Sequence, residues 1–121
     1  VGVLAKRPIA NAAWKESSEQ QGIYVDYVRT YSERLAKMGI TPADLGFSGD
    51  AGVAWSEIAL RFTPSMPGVT TAIVGTTKPA NIERNLEIAA KGALPEPIVA
   101  EVRDAFRRAE KADAKSWLGQ T

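Results

Sequence analysis

Two short apolar runs and four periodic segments order the chain. Residues 1–5, Val-Gly-Val-Leu-Ala, are apolar throughout and rich in branched side chains. Such a run, without alternation, reads as a strand buried on both faces, as in a parallel sheet. Lys6-Arg7-Pro8 ends it, because proline cannot extend a ladder and constrains the residue before it. Residues 9–14 then read as a loop or short helical turn, and residues 15–22 are polar. Tyr24, Tyr27, Val28, Tyr31 and Leu35 recur at helical spacing. They predict a helix over residues 24–38, closed by Gly39. Thr41-Pro42-Ala43-Asp44 reads as a turn or a short helix start, and residues 47–52, with two glycines and an aspartate, as a loop.

A second helix is expected over residues 53–62, with Ala54, Ile58 and Phe62 on one apolar stripe. Pro64 and Pro67-Gly68 close it. Residues 69–74 form a second β-branched run and the second strand, ended by Gly75. A third helix follows over residues 79–90, with Ile82, Leu86 and Ala89 facing one way, and Gly92 ends it. A fourth covers residues 95–111. Ile98, Val99, Val102, Phe106 and Ala109 make its stripe, and Pro95 and Glu96 suit its first turn. The tail beyond Ala112 carries Trp117.

Helical material separates the two strands, which favours parallel pairing through a right-handed crossover. Two strands do not make a self-sufficient sheet, so the edges of this pair are expected to meet further strands. The length, 121 residues, is too short for a complete α/β barrel, which needs about 250. The chain also opens at Val1, inside strand material. The expectation is therefore a piece of a longer protein, with residues 1–121 as a single partial domain.

Composition narrows the chemistry. Fifteen basic and 14 acidic residues leave a net charge of +1. That balance gives no general pull toward nucleic acid or an anionic membrane, so anion binding has to come from a local site. There is no cysteine, which excludes disulfides and thiolate metal sites and fits a cytoplasmic setting. There is no histidine either, so no imidazole acts as base, ligand or pH switch. No apolar run approaches the ~20 residues of a membrane span, and the start is unlike a signal peptide.

The most specific chemistry lies in Gly75-Thr76-Thr77-Lys78 and the helix start after it. A helix N-terminus leaves backbone N–H groups unpaired and carries partial positive charge. A phosphate is one natural partner, with Gly75 allowing close approach, two hydroxyl donors and the Lys78 charge. Simple helix capping by Thr77 or Lys78 is the other reading. Asn85 favours the first, because Asn81 and Asn85, at i and i+4, place two amides on one edge of that helix.

Two stretches together resemble the aldo/keto reductase family. Residues 2–11, Gly-Val-Leu-Ala-Lys-Arg-Pro-Ile-Ala-Asn, look like that barrel's seventh strand and its exit. Ile58-Ala59-Leu60-Arg61-Phe62, then Pro67 through Thr76 to Asn81 and Asn85, look like the seventh helix, the eighth strand and the cofactor loop. The resemblance implies an α/β fold, the C-terminal portion of a TIM (β/α)8 barrel, with two parallel strands and flanking helices. It implies NADP(H), with NAD(H) as the alternative, and a small carbonyl substrate reduced by hydride transfer in the intact enzyme. By position, Gly75, Thr76, Thr77 and Lys78 would hold the adenosine 2′-phosphate. Asn81 and Asn85 would sit beside the phosphate and adenine, and Lys6, Arg7 and Pro8 at the nicotinamide and pyrophosphate end.

The chain departs from the family in places. Lys6 stands where many members carry an aromatic, Asn81 where many carry arginine, and Arg84 where many carry glutamate. The family's catalytic aspartate, tyrosine, lysine and histidine map to nothing here, so the chain alone is expected to be inactive. Two other readings stand beside this one: a self-contained nucleotide- or phosphate-binding module that completes its sheet by self-association, and a structural remnant without ligand. The tyrosines are read as packing residues, with a minor substrate role as the alternative, and Trp55 and Trp117 as packing or interface residues. Trp14 is read as covering core or the nicotinamide end, and the charges over residues 101–111 as a solvated helix face.

Overall fold

The computed structural model describes residues 1–15 and 25–119, and within them the chain is α/β, with four α-helices and a two-stranded parallel sheet. Tyr24 and all of the polar stretch after Lys15 lie outside the described residues. The order is β1 (Val3–Lys6), α1 (Val25–Met38), α2 (Ala51–Phe62), a 3-10 turn at Thr63–Ser65, β2 (Val69–Ile73), α3 (Pro79–Ala90) and α4 (Glu96–Ala112). Among the described residues no helix is long and apolar enough to cross a membrane.

Each boundary has a local cause. Asp26 and Lys37 complement the dipole of α1 at its two ends, and Gly39 at φ 64° turns the chain away. The second helix starts two residues before the expected Val53. Asp50 Oδ1 accepts the Val53 N–H at 2.9 Å and draws Ala51 and Gly52 into the first turn. Pro79 occupies the first turn of α3, where its missing N–H costs nothing, and Gly92 at φ 74° follows its end.

The strands pair in parallel as expected, Leu4 with Thr71, Ala5 with Ala72 and Lys6 with Ile73. A register irregularity between Val3 and Leu4 leaves Thr70 as the extra residue, and its hydroxyl donates to the Val3 carbonyl at 3.1 Å. The expectation of strands buried on both faces is corrected. Leu4, Lys6, Thr71 and Ile73 share one face by the period of two, and all four are exposed, Leu4 at 65%. Ala5 and Ala72, on the other face, are half-buried. An apolar run encodes affinity for a partner layer, and no described element covers this face.

The core lies instead among the helices. Leu45, Ile58, Leu94 and Val99 form its buried centre, with Trp55, Phe62 and Val102 packed against it. The α2 stripe and the α4 stripe meet here as their periodicity predicts. For α3 the expected stripe is corrected: Ile82 and Leu86 are exposed, and Ile88 is the buried residue. Charges from Glu101 to Lys111 lie on a solvated face, in pairs such as Arg108 with Glu101.

The tail packs back on the helices. Trp117 is buried, edge-on to Phe106 with centroids 5.1 Å apart, and its indole N–H donates to Asp113 Oδ2 at 2.9 Å. Lys37 Nζ, from α1, donates to Asp113 Oδ1 at 2.6 Å. The Lys37 hydrogen bond, helped by that of Trp117, holds the Asp113 carboxyl down at about 2, below its ordinary 3.8. A depressed carboxyl adds stability above its unfolded value, and the gain is lost as pH falls through the folded one. Asp113→Asn should therefore be less stable than wild type at pH 5. The gap should close as pH drops from about 4 toward 2, measured by urea denaturation at each pH. A gap that stays constant to the bottom of that range would refute the assignment.

Candidate functional site

Parallel pairing brings the carboxyl ends of β1 and β2 side by side, Lys6 opposite Ile73. The two segments that leave the sheet there, residues 7–15 and 74–78, therefore emerge together. Sites in open parallel sheets form at this end, where loops diverge from the strands. The N-terminus of α3 follows one segment directly, and α2 packs on α3, so the N-terminus of α2 comes to the same place.

These pieces enclose a cleft of about 280 Å³. One wall is Gly75, Thr76, Asn81, Arg84 and Asn85. The facing wall is Trp14 and Lys15 from the β1 exit, with Asp50, Val53 and Ser56 from α2. Asn81 and Asn85 face the same space, as the i, i+4 spacing predicts. An added Cβ on Gly75 would meet nothing within 4 Å, so the bend borders open space.

Thr76 organises the bend. Its hydroxyl accepts the Lys78 N–H at 3.2 Å and the Asn81 side-chain N–H at 3.0 Å. Lys78 is at the N-cap, but its side chain makes no capping bond, nor does that of Thr77. No side chain caps the helix; Thr76 instead closes the turn before it and pins Asn81 against the loop. The Asn81 N–H is spent on the Lys78 carbonyl at 3.0 Å. Among the described residues no hydrogen bond engages the amides of Gly75, Thr76 or Thr77.

The other predicted residues lie elsewhere. Thr77 and Lys78 are exposed on the rim outside the cleft lining. Lys6 ends β1 on the open face of the sheet. Arg7 stacks over the Tyr27 ring, 4.9 Å from its centroid. Burial, with Tyr31 nearby, pushes the Tyr27 hydroxyl above its ordinary value, and Arg7 acts against that. Pro8 lines a second, apolar cavity behind Trp14. The structure therefore joins four of the nine candidates, Gly75, Thr76, Asn81 and Asn85, in one place and disperses the other five.

Asp50, Ser56, Lys15 and Arg84 enter the cleft without having been singled out for it. Arg84 was legible as a cation one position before Asn85. The approach of Asp50 and Ser56 arises from the packing of α2 on α3, which no local pattern encodes.

The β1 exit turn has unusual backbone. Arg7, Ala10, Asn11 and Ala12 all have positive φ, between 42° and 58°. Each such residue costs about 1–2 kcal/mol relative to its right-handed conformation unless it is glycine. Hydrogen bonds from Ala10 N–H to the Arg7 carbonyl and from Ala12 N–H to the Ile9 carbonyl hold the turn. Trp14, which follows this turn, lines the same cleft as Asn85.

Chemically the cleft offers amide and hydroxyl donors, two cations in Lys15 and Arg84, one carboxylate in Asp50 and one indole wall. Among the described residues no group of acidic side chains could hold a metal ion. Comparison with family models, with curated proteins and with solved structures finds no match to the chain.

Proposed function

We propose that this chain supplies the adenosine-phosphate half of a nicotinamide-cofactor site, as the C-terminal portion of an aldo/keto reductase-type (β/α)8 barrel. The observation that carries the reading is the meeting of Gly75, Thr76, Asn81 and Asn85 in one cleft at the carboxyl end of a parallel sheet. These are four of the positions that the family resemblance selects.

The residues fit the group. Uncommitted amides at Gly75, Thr76 and Thr77, beside the positive end of α3, suit a phosphate. Arg84 adds a cation within the cleft, and Lys78 another on the rim. A guanidinium and an ammonium near the bend favour a 2′-phosphate, so NADP(H) is the favoured cofactor over NAD(H). Trp14 offers a flat apolar wall for a purine ring. The volume suits an adenosine rather than a whole dinucleotide, which leaves the nicotinamide half to parts of the site beyond this cleft. When bound, the nicotinamide ring supplies the hydride. The chain's own groups bind and orient the far end of the molecule.

The open sheet face supports the same reading. Leu4 and Ile73 belong against the interior of a closed barrel, and further strands would cover them. Proton transfer to a carbonyl substrate would come from residues of those strands, since this chain carries no counterpart of them.

The test is titration of NADPH, NADH and adenosine 2′,5′-bisphosphate against the chain by calorimetry. NADPH and the bisphosphate should bind saturably, and NADH more weakly. Thr76→Val and Arg84→Ala should each weaken NADPH about tenfold or more, the worth of one hydrogen bond to a charged group. No saturation at millimolar NADPH, or wild-type affinity in both variants, would overturn the proposal.

A further inference from the structure

A second cavity, of about 300 Å³, opens between α1, α2, α4 and the turn after β1. Its wall is aromatic and aliphatic: Trp14, Trp55, Ile58, Phe62 and Phe106 dominate it. Among its described lining residues Arg34 is the sole charged one. The space is open to solvent, and apolar surface facing water gains from being covered. Ordered water needs polar partners, which this wall scarcely offers. An apolar occupant suits the space.

Arg34 defines one end of that occupant. Its guanidinium lies 5.5 Å from the Tyr31 ring centroid and 5.6 Å from that of Trp117. One Nη donates to the Leu118 carbonyl at 2.8 Å. The aromatic rings and this carbonyl orient the side chain. Among the described residues no carboxylate pairs with it, as none pairs with Arg7, Arg84 or Arg103. A rigid fork at the edge of an apolar chamber matches a carboxylate in charge and shape.

We propose that this cavity binds a small amphipathic carboxylate, its apolar body among the aromatic rings and its carboxylate on Arg34. A dry apolar cavity of about 150 Å³ accepts benzene, so this one suits a body of about ten carbons. The site is separate from the nucleotide cleft and does not depend on it. Among the described residues the two share only Ile9 and Trp14 in their walls.

Tryptophan fluorescence reads the binding directly, since Trp14 and Trp55 stand in the wall. The probes are decanoate and decanol, which share a chain and differ in the head group. Decanoate should quench or shift the emission saturably below about 1 mM and bind about tenfold or more tightly than decanol. Arg34→Met should abolish that preference and leave decanol binding unchanged. Ala59→Phe, which fills the chamber from α2, should weaken both probes about tenfold with the helical circular dichroism unchanged. If Ala59→Phe fails to fold, the Arg34→Met comparison decides alone. The proposal is overturned by no saturable signal, by decanol binding as tightly as decanoate, or by a preference that survives Arg34→Met.

Discussion

Ile58→Ala is expected to destabilise the chain by about 2–5 kcal/mol, a large part of the 5–15 kcal/mol typical of a whole domain. Ile58 is 2% exposed and packs against Leu45, Leu94 and Val99 at the centre of the helical core. It joins α2 to α4 and to the loops that flank them, so its loss leaves a void shared by several elements. The surroundings cannot collapse into that void without shifting a helix. Urea denaturation of both proteins measures the cost. Ile82→Ala serves as the contrast: Ile82 is an apolar β-branched residue on an exposed face of α3, and its truncation should cost under about 0.5 kcal/mol. Similar losses at both positions would mean that the core lies elsewhere.

Arg61→Ala is expected to cost about 2–4 kcal/mol, more than a surface ion pair contributes, because one side chain closes three bonds. Its Nε donates to the Gly92 carbonyl at 2.9 Å and one Nη to the Ala93 carbonyl at 3.0 Å. The other Nη donates to Glu57 Oε1 at 2.8 Å, and Lys91 Nζ donates to Glu57 Oε2 at 2.6 Å. These bonds tie α2 to the link between α3 and α4. The Glu57 carboxylate is only 15% exposed. Burial raises its pKa, but the hydrogen bonds and charges of Lys91 and Arg61 outweigh that, and the net shift is downward from 4.5. The ionic share of the loss is therefore present above the ordinary glutamate value and fades as pH falls below it. Thermal denaturation of Arg61→Ala, Glu57→Gln and the double variant separates the parts. The double variant should be less destabilised than the sum of the singles, since each single removes the same ion pair. A cost under about 1 kcal/mol for Arg61→Ala would show that water replaces the bonds.

The helices were readable because their signals are local. Pro79 and Gly92 bracket α3, Gly39 closes α1, and the Val99–Ala109 stripe on α4 repeats at the helical period. Parallel pairing was readable too, from two β-branched runs with helices between them. The open sheet face was not. A run such as Val3–Leu4 carries the same letters whether a layer covers it or not, and burial depends on an element that must come from elsewhere in space. Ile82 and Leu86 are exposed for the same reason.

The candidate site divides along the same line. Asn81 and Asn85 fall together because helical spacing forces it. Thr76, rather than Thr77 or Lys78, holds the bend, and either threonine fits the local pattern. The left-handed turn at residues 10–12 was beyond reach, since alanine prefers the right-handed form and nothing in Ala10-Asn11-Ala12 marks the exception. Asp50 and Arg84 reach one cleft through helix packing, which links distant segments of the chain.

The indole of Trp14 is a party wall between two chambers of different character, one polar and one oily. Whatever tilts that ring from one side alters the room on the other. Were an occupant of one chamber to tilt it, linkage would make the influence reciprocal, each occupant changing the other's affinity by the same factor.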